Sequence, residues 1–443
     1  MEAKAISSVL KRKKMRAAIL GSGMLVGACL AGAGYALLGL LFTVAVAVGT
    51  LLQYLYVPMP AIAEEKFKRW GFIAGLKILY PLIGFLQWMG RGHEMKIGRE
   101  IFFLEATDTE TNKEVVTEDT KFEDVTVRIY RPVDLSDEER LPGIVYCHGG
   151  GWCYDAFGKY DIMIKRMLKF KTMIVIYVRY RLAPEFPFPT GIDDCFVATR
   201  YVQRNTERLN LDPEKLVLMG DSAGGCMTMN MLIRMITEAE HGLPKFKIQV
   251  AIYPFVQALD FATSSHQIFV DNNSPTFLNS TLTLKFLITY ALGNVKINES
   301  EIQKLQENAH WTDEIRNSKL PNLVSSDVLP PNIERPKALK QLSKNTDSAL
   351  AQKFNDTFLD VRFSPLFAND SILQKMPKTY ILSAGLDSIR DDAFFLEDRL
   401  RKLNVDVTHR HWVSMDHAFL CLEFYNNSLK ALEEIVDYLD TNL

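Results

Sequence analysis

The 443 residues carry 51 basic and 53 acidic side chains, and no extended basic stripe runs through the folded portion, which argues against nucleic-acid binding. A chain of this length exceeds one ordinary core, so one decorated domain or two are expected. Six scattered cysteines (Cys29, Cys147, Cys153, Cys195, Cys226, Cys421) form no CxxC pair, which argues against a zinc site and leaves any disulfide pairing open.

In chain order, residues 1–16 form a basic tail with Lys4, Lys11, Arg12, Lys13, Lys14 and Arg16 against a single Glu2. Residues 17–63 contain no charged side chain, and 17–57 are almost wholly apolar. A helix needs about 20 such residues to cross a bilayer, so 17–57 read as a retained transmembrane signal anchor. Basic charge holds the tail in the cytosol. A fold-back near residues 32–34 would make two crossings, but no polar residue marks a tip. Residues 64–90 form a second apolar stretch with Lys77 and Pro81 in its middle. A charge at the bilayer centre costs about 2.5–3.5 kcal/mol, so an interfacial helix is expected there rather than a span. Strands are expected at 100–106 and at 125–132.

From residue 143 strands and helices alternate. Strands are predicted at 143–147, 172–180, 215–219, 248–253, 379–384 and 405–412. Helices are predicted at 159–169, 190–203, 223–237, 391–402 and within 427–439. The alternation predicts a mostly parallel sheet covered by helices on both faces. A break of mixed loop and helix separates 253 from 379, a natural place for a lid. The expected organisation is tail 1–16, anchor 17–57, membrane-proximal cap helices and first strand 58–115, and an α/β domain 116–443 with a cap insertion at about 255–375.

The chemistry concentrates in two motifs. "LVLMGDSAGGCMTMN" places Gly220, Asp221, Ser222, Ala223 and Gly224 between an apolar strand and a helical pattern, the strand–turn–helix of a nucleophile elbow. A serine needs a base, and the base an orienting carboxylate, each just past a later strand. Asp387 follows the strand at 379–384 and His417 lies just beyond the strand at 405–412. Asp391 and Asp392 already lie at a helix start, where acidic residues are favoured anyway. His409 and His411 alternate within a strand and read as structural. "YCHGGGWCYD" puts His148, Gly149, Gly150 and Gly151 at an earlier strand end, where bare backbone can approach a reacting oxygen. Gly149 and Gly150 are the expected oxyanion donors with Ala223, and His148 is expected to shape the loop. No metal or cofactor is called for.

These motifs, with Tyr180-Arg-Leu-Ala-Pro-Glu185, resemble the hormone-sensitive-lipase group of α/β-hydrolases. "YVPMPAIAEEKFKRW", "TKFEDVTVRIYRP" and "LDVRFSPLFAND" are similar to its arylacetamide deacetylase branch, which includes the neutral cholesterol ester hydrolases. The resemblance covers about residues 50–443. It implies a single-pass, type II serine hydrolase in the endoplasmic-reticulum membrane with a lumenal catalytic domain, acting on apolar esters or aryl amides. Two features depart from the branch. Ala418 stands where glycine usually follows the histidine, and the apolar run is longer than a single anchor. The sequons at Asn272, Asn279, Asn298, Asn355, Asn369 and Asn426 fit a lumenal, glycosylated domain. Two other readings stay open. One is an acyltransferase on the same triad. The other is a silent hydrolase fold used as a small-molecule receptor, which predicts a lost triad member where all three are present.

Overall fold

The computed structural model describes residues 36–102, 114–136, 138–270, 276–336, 342–422 and 424–443, with Ser22 and Ser274. The basic tail, most of 17–35, Cys29 and the sequon at Asn272 lie outside the described residues. The chain divides into two units, Met1–Pro58 and Met59–Leu443.

In the first unit, Ala36–Leu55 is a helix of apolar residues with Val44, Val48, Leu51 and Leu52 exposed. The hydroxyl of Thr50 donates to the Val46 carbonyl at 2.8 Å, which satisfies a polar group within an apolar helix.

The second unit is built on one eight-stranded sheet: β1 (Val115–Phe122), β2 (Val125–Pro132), β3 (Leu141–Cys147), β4 (Ile174–Arg179), β5 (Leu211–Asp221), β6 (Phe246–Ile252), β7 (Lys378–Leu386) and β8 (Val407–Asp416). Their spatial order is β1-β2-β4-β3-β5-β6-β7-β8. β2 pairs antiparallel with β1 and with β4, and the remaining pairs are parallel. The strand period of two divides the apolar residues between two cores. Val145, Cys147, Ile176 and Leu218 face one core, and Ile144, Tyr146, Tyr177 and Val217 face the other. The helices Thr190–Arg204, Ala223–Thr237 and Arg390–Lys402 supply the first core, and Phe157–Phe170 and Asn427–Asn442 the second.

Two elements differ from expectation. The expected strand at 100–106 is instead the end of a helix, Glu94–Phe102, and 103–113 lie outside the described residues. Tertiary contacts decide it: Arg99 donates to the carbonyls of Cys153 (2.9 Å) and Ala183 (2.7 Å), and Met95 and Ile97 are buried. β1 was not anticipated. Its sequence VVTEDTKF is solvent-facing along most of its length, so it lacks the apolar alternation that marks a strand, as suits a charged sheet edge.

Between β6 and β7 the insertion holds, among its described residues, seven α-helices, including Ser264–Ile268, Ser280–Leu292, Glu299–Gln306 and Ser348–Phe358. Their starts are marked by side-chain caps from Thr263, Asn279, Asn298 and Asp347. Ahead of the sheet, Lys66–Trp88 forms a long helix around Pro81. Among the described residues it is the one helix long and apolar enough, by length and composition, to cross a membrane.

Candidate active site

β5 ends at Asp221, and the Ala223–Thr237 helix starts immediately after Ser222. Ser222 therefore occupies a single-residue turn with φ 55° and ψ −119°, a conformation a side chain adopts only under constraint. Ser222 N–H donates to the Ile252 carbonyl (2.8 Å), and its own carbonyl accepts from Phe255 N–H (3.2 Å). These bonds hold the turn to the end of β6. A Cβ on Gly224 would lie 1.9 Å from the Cys147 carbonyl oxygen, so only glycine lets the helix start pass so close to β3.

The structure brings the three sequence-predicted residues together. His417 Nε2 lies 2.8 Å from Ser222 Oγ, and His417 Nδ1 lies 2.7 Å from Asp387 Oδ2. A carboxylate only accepts, so Nδ1 carries the imidazole proton and Nε2 turns its lone pair toward the serine hydroxyl. Asp387 is fully buried, and its Oδ1 accepts from the Ile389 N–H (2.9 Å), which fixes the carboxylate plane. Ser222 keeps 9% of its surface exposed, toward a cavity of about 230 Å³. Phe72, Tyr80, Phe255, Phe277 and Leu282 give that cavity a mainly apolar wall.

The competitors lie elsewhere. Asp391 pairs with Arg390 (2.8 Å) and accepts from Ser265 N–H (2.8 Å). Asp392 accepts from Val256 N–H (2.9 Å) and Gln257 Nε2 (3.1 Å), and burial pushes its carboxyl up to about 8. Both tie the start of the insertion to the Arg390–Lys402 helix. His409 and His411 share Ser383 Oγ at 2.7 and 2.8 Å, and His409 Nδ1 meets Glu397 at 2.6 Å. This chain copies a serine–histidine–acid order, but Ser383 is fully buried within β7.

The glycine loop requires one correction. The N–H of Gly149, expected as an oxyanion donor, is already bonded to Asp221 Oδ1 (2.9 Å) and to the hydroxyl of Tyr160 (2.9 Å). Gly150, Gly151 and Ala223 line the cavity beside Ser222 instead. Gly150 and Gly151 have φ of 101° and 59°, the left-handed region that turns the backbone here. Asp221 also accepts from the hydroxyls of Tyr146 (3.0 Å) and Tyr160 (2.9 Å). Burial raises its carboxyl above the usual range, against the pull of those bonds. One side chain thus fastens the glycine loop to the elbow, a role the x of G-x-S-x-G could not disclose. His148 is buried, and its Nδ1 donates to the Gly149 carbonyl (2.7 Å). Its ring stacks on Tyr180 at 4.1 Å, and the Tyr180 hydroxyl donates to the His148 carbonyl (2.9 Å). The two motifs form one scaffold.

A further pair was not legible in the sequence. Arg69, from the Lys66–Trp88 helix, grips Asp416 with two nitrogens, Nη2 to Oδ1 at 2.6 Å, and neither side chain sees solvent appreciably. Tyr425 donates its hydroxyl to the same carboxylate. Asp416 immediately precedes His417. Ala418, on the other side, adopts φ 63°, where glycine would be unstrained. Its methyl costs about 1–2 kcal/mol there. The five described cysteines are free and buried.

Comparison with known proteins bears on the family and the fold. A family model described as alpha/beta hydrolase fold matches residues 144–316 and 333–421. The arylacetamide deacetylase of Bos taurus is 30% identical over 401 residues, covering 89% of this chain and 97% of that protein. Neutral cholesterol ester hydrolase 1 of Pongo abelii is 27% identical over 403 residues, covering 88% and 96%. Among solved structures, an esterase from Pyrobaculum calidifontis superposes with a TM-score of 0.58 at 21% identity, covering 81% of this chain and 97% of that one. A thermostable esterase from Pseudomonas putida gives 0.58 at 19% identity, covering 79% and 90%. Similar along nearly its whole length to a named arylacetamide deacetylase and a named neutral cholesterol ester hydrolase, and matching the alpha/beta hydrolase fold family over more than half of its residues, the chain belongs to the arylacetamide deacetylase and neutral cholesterol ester hydrolase branch of the α/β-hydrolases.

Proposed function

We propose that the protein is a serine hydrolase that cleaves carboxylic esters, and aryl amides by the same route, through an acyl-enzyme on Ser222. The observation that carries this reading is the 2.8 Å approach of His417 Nε2 to a serine held in a strained elbow, with Asp387 on the far side of the ring. Ser222 Oγ attacks the substrate carbonyl carbon while His417 Nε2 takes the hydroxyl proton. The resulting oxyanion lies within reach of the N–H groups of Gly150, Gly151 and Ala223, and stabilisation of this kind is commonly the largest single contribution. The bond to the alcohol or amine breaks as His417 returns the proton to it. Water then attacks the acyl carbon, gives its proton to His417, and releases the acid as Oγ is reprotonated.

The aromatic and aliphatic wall favours apolar acyl groups, in keeping with the names of the relatives. Residues 58–115 and the insertion at 255–375 act as the cap. With the uncharged run at 17–57 as anchor and the basic tail in the cytosol, the catalytic domain faces the endoplasmic-reticulum lumen. The test is turnover of a short p-nitrophenyl ester together with fluorophosphonate labelling. Ser222→Ala should lose both, and Asp387→Asn should lower kcat by about 10⁴-fold, as loss of the orienting carboxylate does in serine proteases. Labelling retained in Ser222→Ala would overturn the assignment.

A further inference from the structure

A helix on the surface of a soluble protein turns its charges outward and its apolar stripe inward. The Lys66–Trp88 helix buries an apolar stripe but departs from this in two ways. Arg69 and Lys77 are buried on its inner face. Its outer face carries Phe67, Ile78, Leu82, Phe85 and Met89, all exposed and in phase with Gly71 and Gly75 at three- and four-residue steps. Phe67 is 82% exposed and Trp88, beside the stripe, 80%. No charged residue interrupts the stripe.

Lipid cannot surround this helix, because Ile73, Ala74, Leu76 and Ile83 are buried on the catalytic unit and Arg69 is paired with Asp416. Lipid can cover its outer face. The chain enters the helix from the uncharged run at 17–63, and residues 58–65 reach at most about 28 Å when extended. The start of the helix is therefore tethered to that run by no more than this length.

The cavity at Ser222 also has a neighbour on this side. A second cavity of about 260 Å³ shares Tyr80, Tyr154 and Leu282 with the first. Its remaining wall includes Pro81 and Gly84, both exposed on the helix. The exposed helix and the cavity beside the one at Ser222 thus meet at one place. We propose that the outer stripe of Lys66–Trp88 lies embedded in the bilayer surface, and that apolar esters pass from the lipid beside Pro81 and Gly84 to Ser222. The second half rests on the ester-hydrolase reading; the first does not.

The test uses the full chain with Cys29→Ser, in phosphatidylcholine vesicles, with single cysteines at Phe85→Cys or Trp88→Cys and a control at the exposed Val133→Cys. Each carries an environment-sensitive fluorophore. Labels at 85 and 88 should shift to the blue and be quenched severalfold by lipids brominated on the acyl chain, while the label at 133 answers only to aqueous iodide. Iodide quenching at 85 equal to that at 133 would overturn the membrane face. So would label-to-label contact between two copies in place of lipid quenching. In parallel, Phe85→Ser with Trp88→Ser should raise the apparent KM for a bilayer-dissolved ester about tenfold, leaving a water-soluble acetate ester unchanged. Equal loss on both esters would contradict the entry path. No hydrolysis of either by the wild type would refute the ester-hydrolase reading alone and leave the fluorescence result standing.

Discussion

Asp416 links the helix over the site to the residue that follows it, His417. Its bidentate partner Arg69 is fully buried, so removing one member leaves an uncompensated charge in the interior. Arg69→Ala should lower stability by about 3–5 kcal/mol, read as a denaturant midpoint in detergent, and Arg69→Met with Asp416→Leu should regain most of it. Because His417 is adjacent, the single variant should also lose kcat, up to about 10²-fold, with KM nearly unchanged. Wild-type stability and kcat in Arg69→Ala would show the pair to be idle. This pair joins residues 347 apart in sequence, which is why no local pattern disclosed it. Ser222, Asp387 and His417 were legible because each stands at a strand end, where position in the chain alone restricts the choice. Gly149 was misjudged for a related reason: three consecutive glycines offer equivalent N–H groups, and only the fold shows which one Asp221 consumes.

At the scale of elements, the insertion holds two buried histidines near its short helices. His266 Nδ1 meets Ser280 Oγ at 2.9 Å, and His310 Nε2 meets the Leu259 carbonyl at 3.0 Å. Burial lowers both rings to about 3, so the folded chain refuses protons that the unfolded chain accepts below about 6.5. Their stabilisation is fully present above pH 6.5 and is lost as pH falls from there toward 3, by up to about 1.4 kcal/mol per pH unit for each ring. The denaturant midpoint should fall between pH 7 and pH 4.5, and His266→Gln with His310→Gln should flatten that slope. An unchanged slope in the double variant would place the acid sensitivity elsewhere. The buried strands were readable because their apolar runs are continuous. The exposed edge strand Val115–Phe122 and the helix Glu94–Phe102, both decided by neighbours, were not.

Across the whole molecule, surface exposure sorts the sequons that sequence alone leaves equal. Asn298, Asn369 and Asn426 are exposed. Asn279 is 3% exposed and caps a helix by accepting from Leu282 N–H, so a glycan has no room there. Asn355 is half-buried, and its Nδ2 donates to the His310 carbonyl (2.9 Å). If the domain is lumenal, an endoglycosidase-sensitive mobility shift should be present and should shrink when Asn298, Asn369 and Asn426 become glutamine, while Asn279→Gln changes nothing. A chain without any shift would contradict the lumenal placement and leave the chemistry untouched. The order of the strands in the sheet was not legible at all, since it depends on crossovers that composition does not encode. The alternation that demands a helix-covered parallel sheet was.

On the proposed mechanism Ser222 carries the acyl group during turnover. Rapid acid quench of the enzyme during hydrolysis of an activated apolar ester, followed by peptide mass analysis, tests it most directly. A mass increase equal to the acyl group is expected on the peptide containing Ser222, with no adduct or turnover in Ser222→Ala. An adduct on another residue, or hydrolysis that persists without the Ser222 hydroxyl, would contradict it.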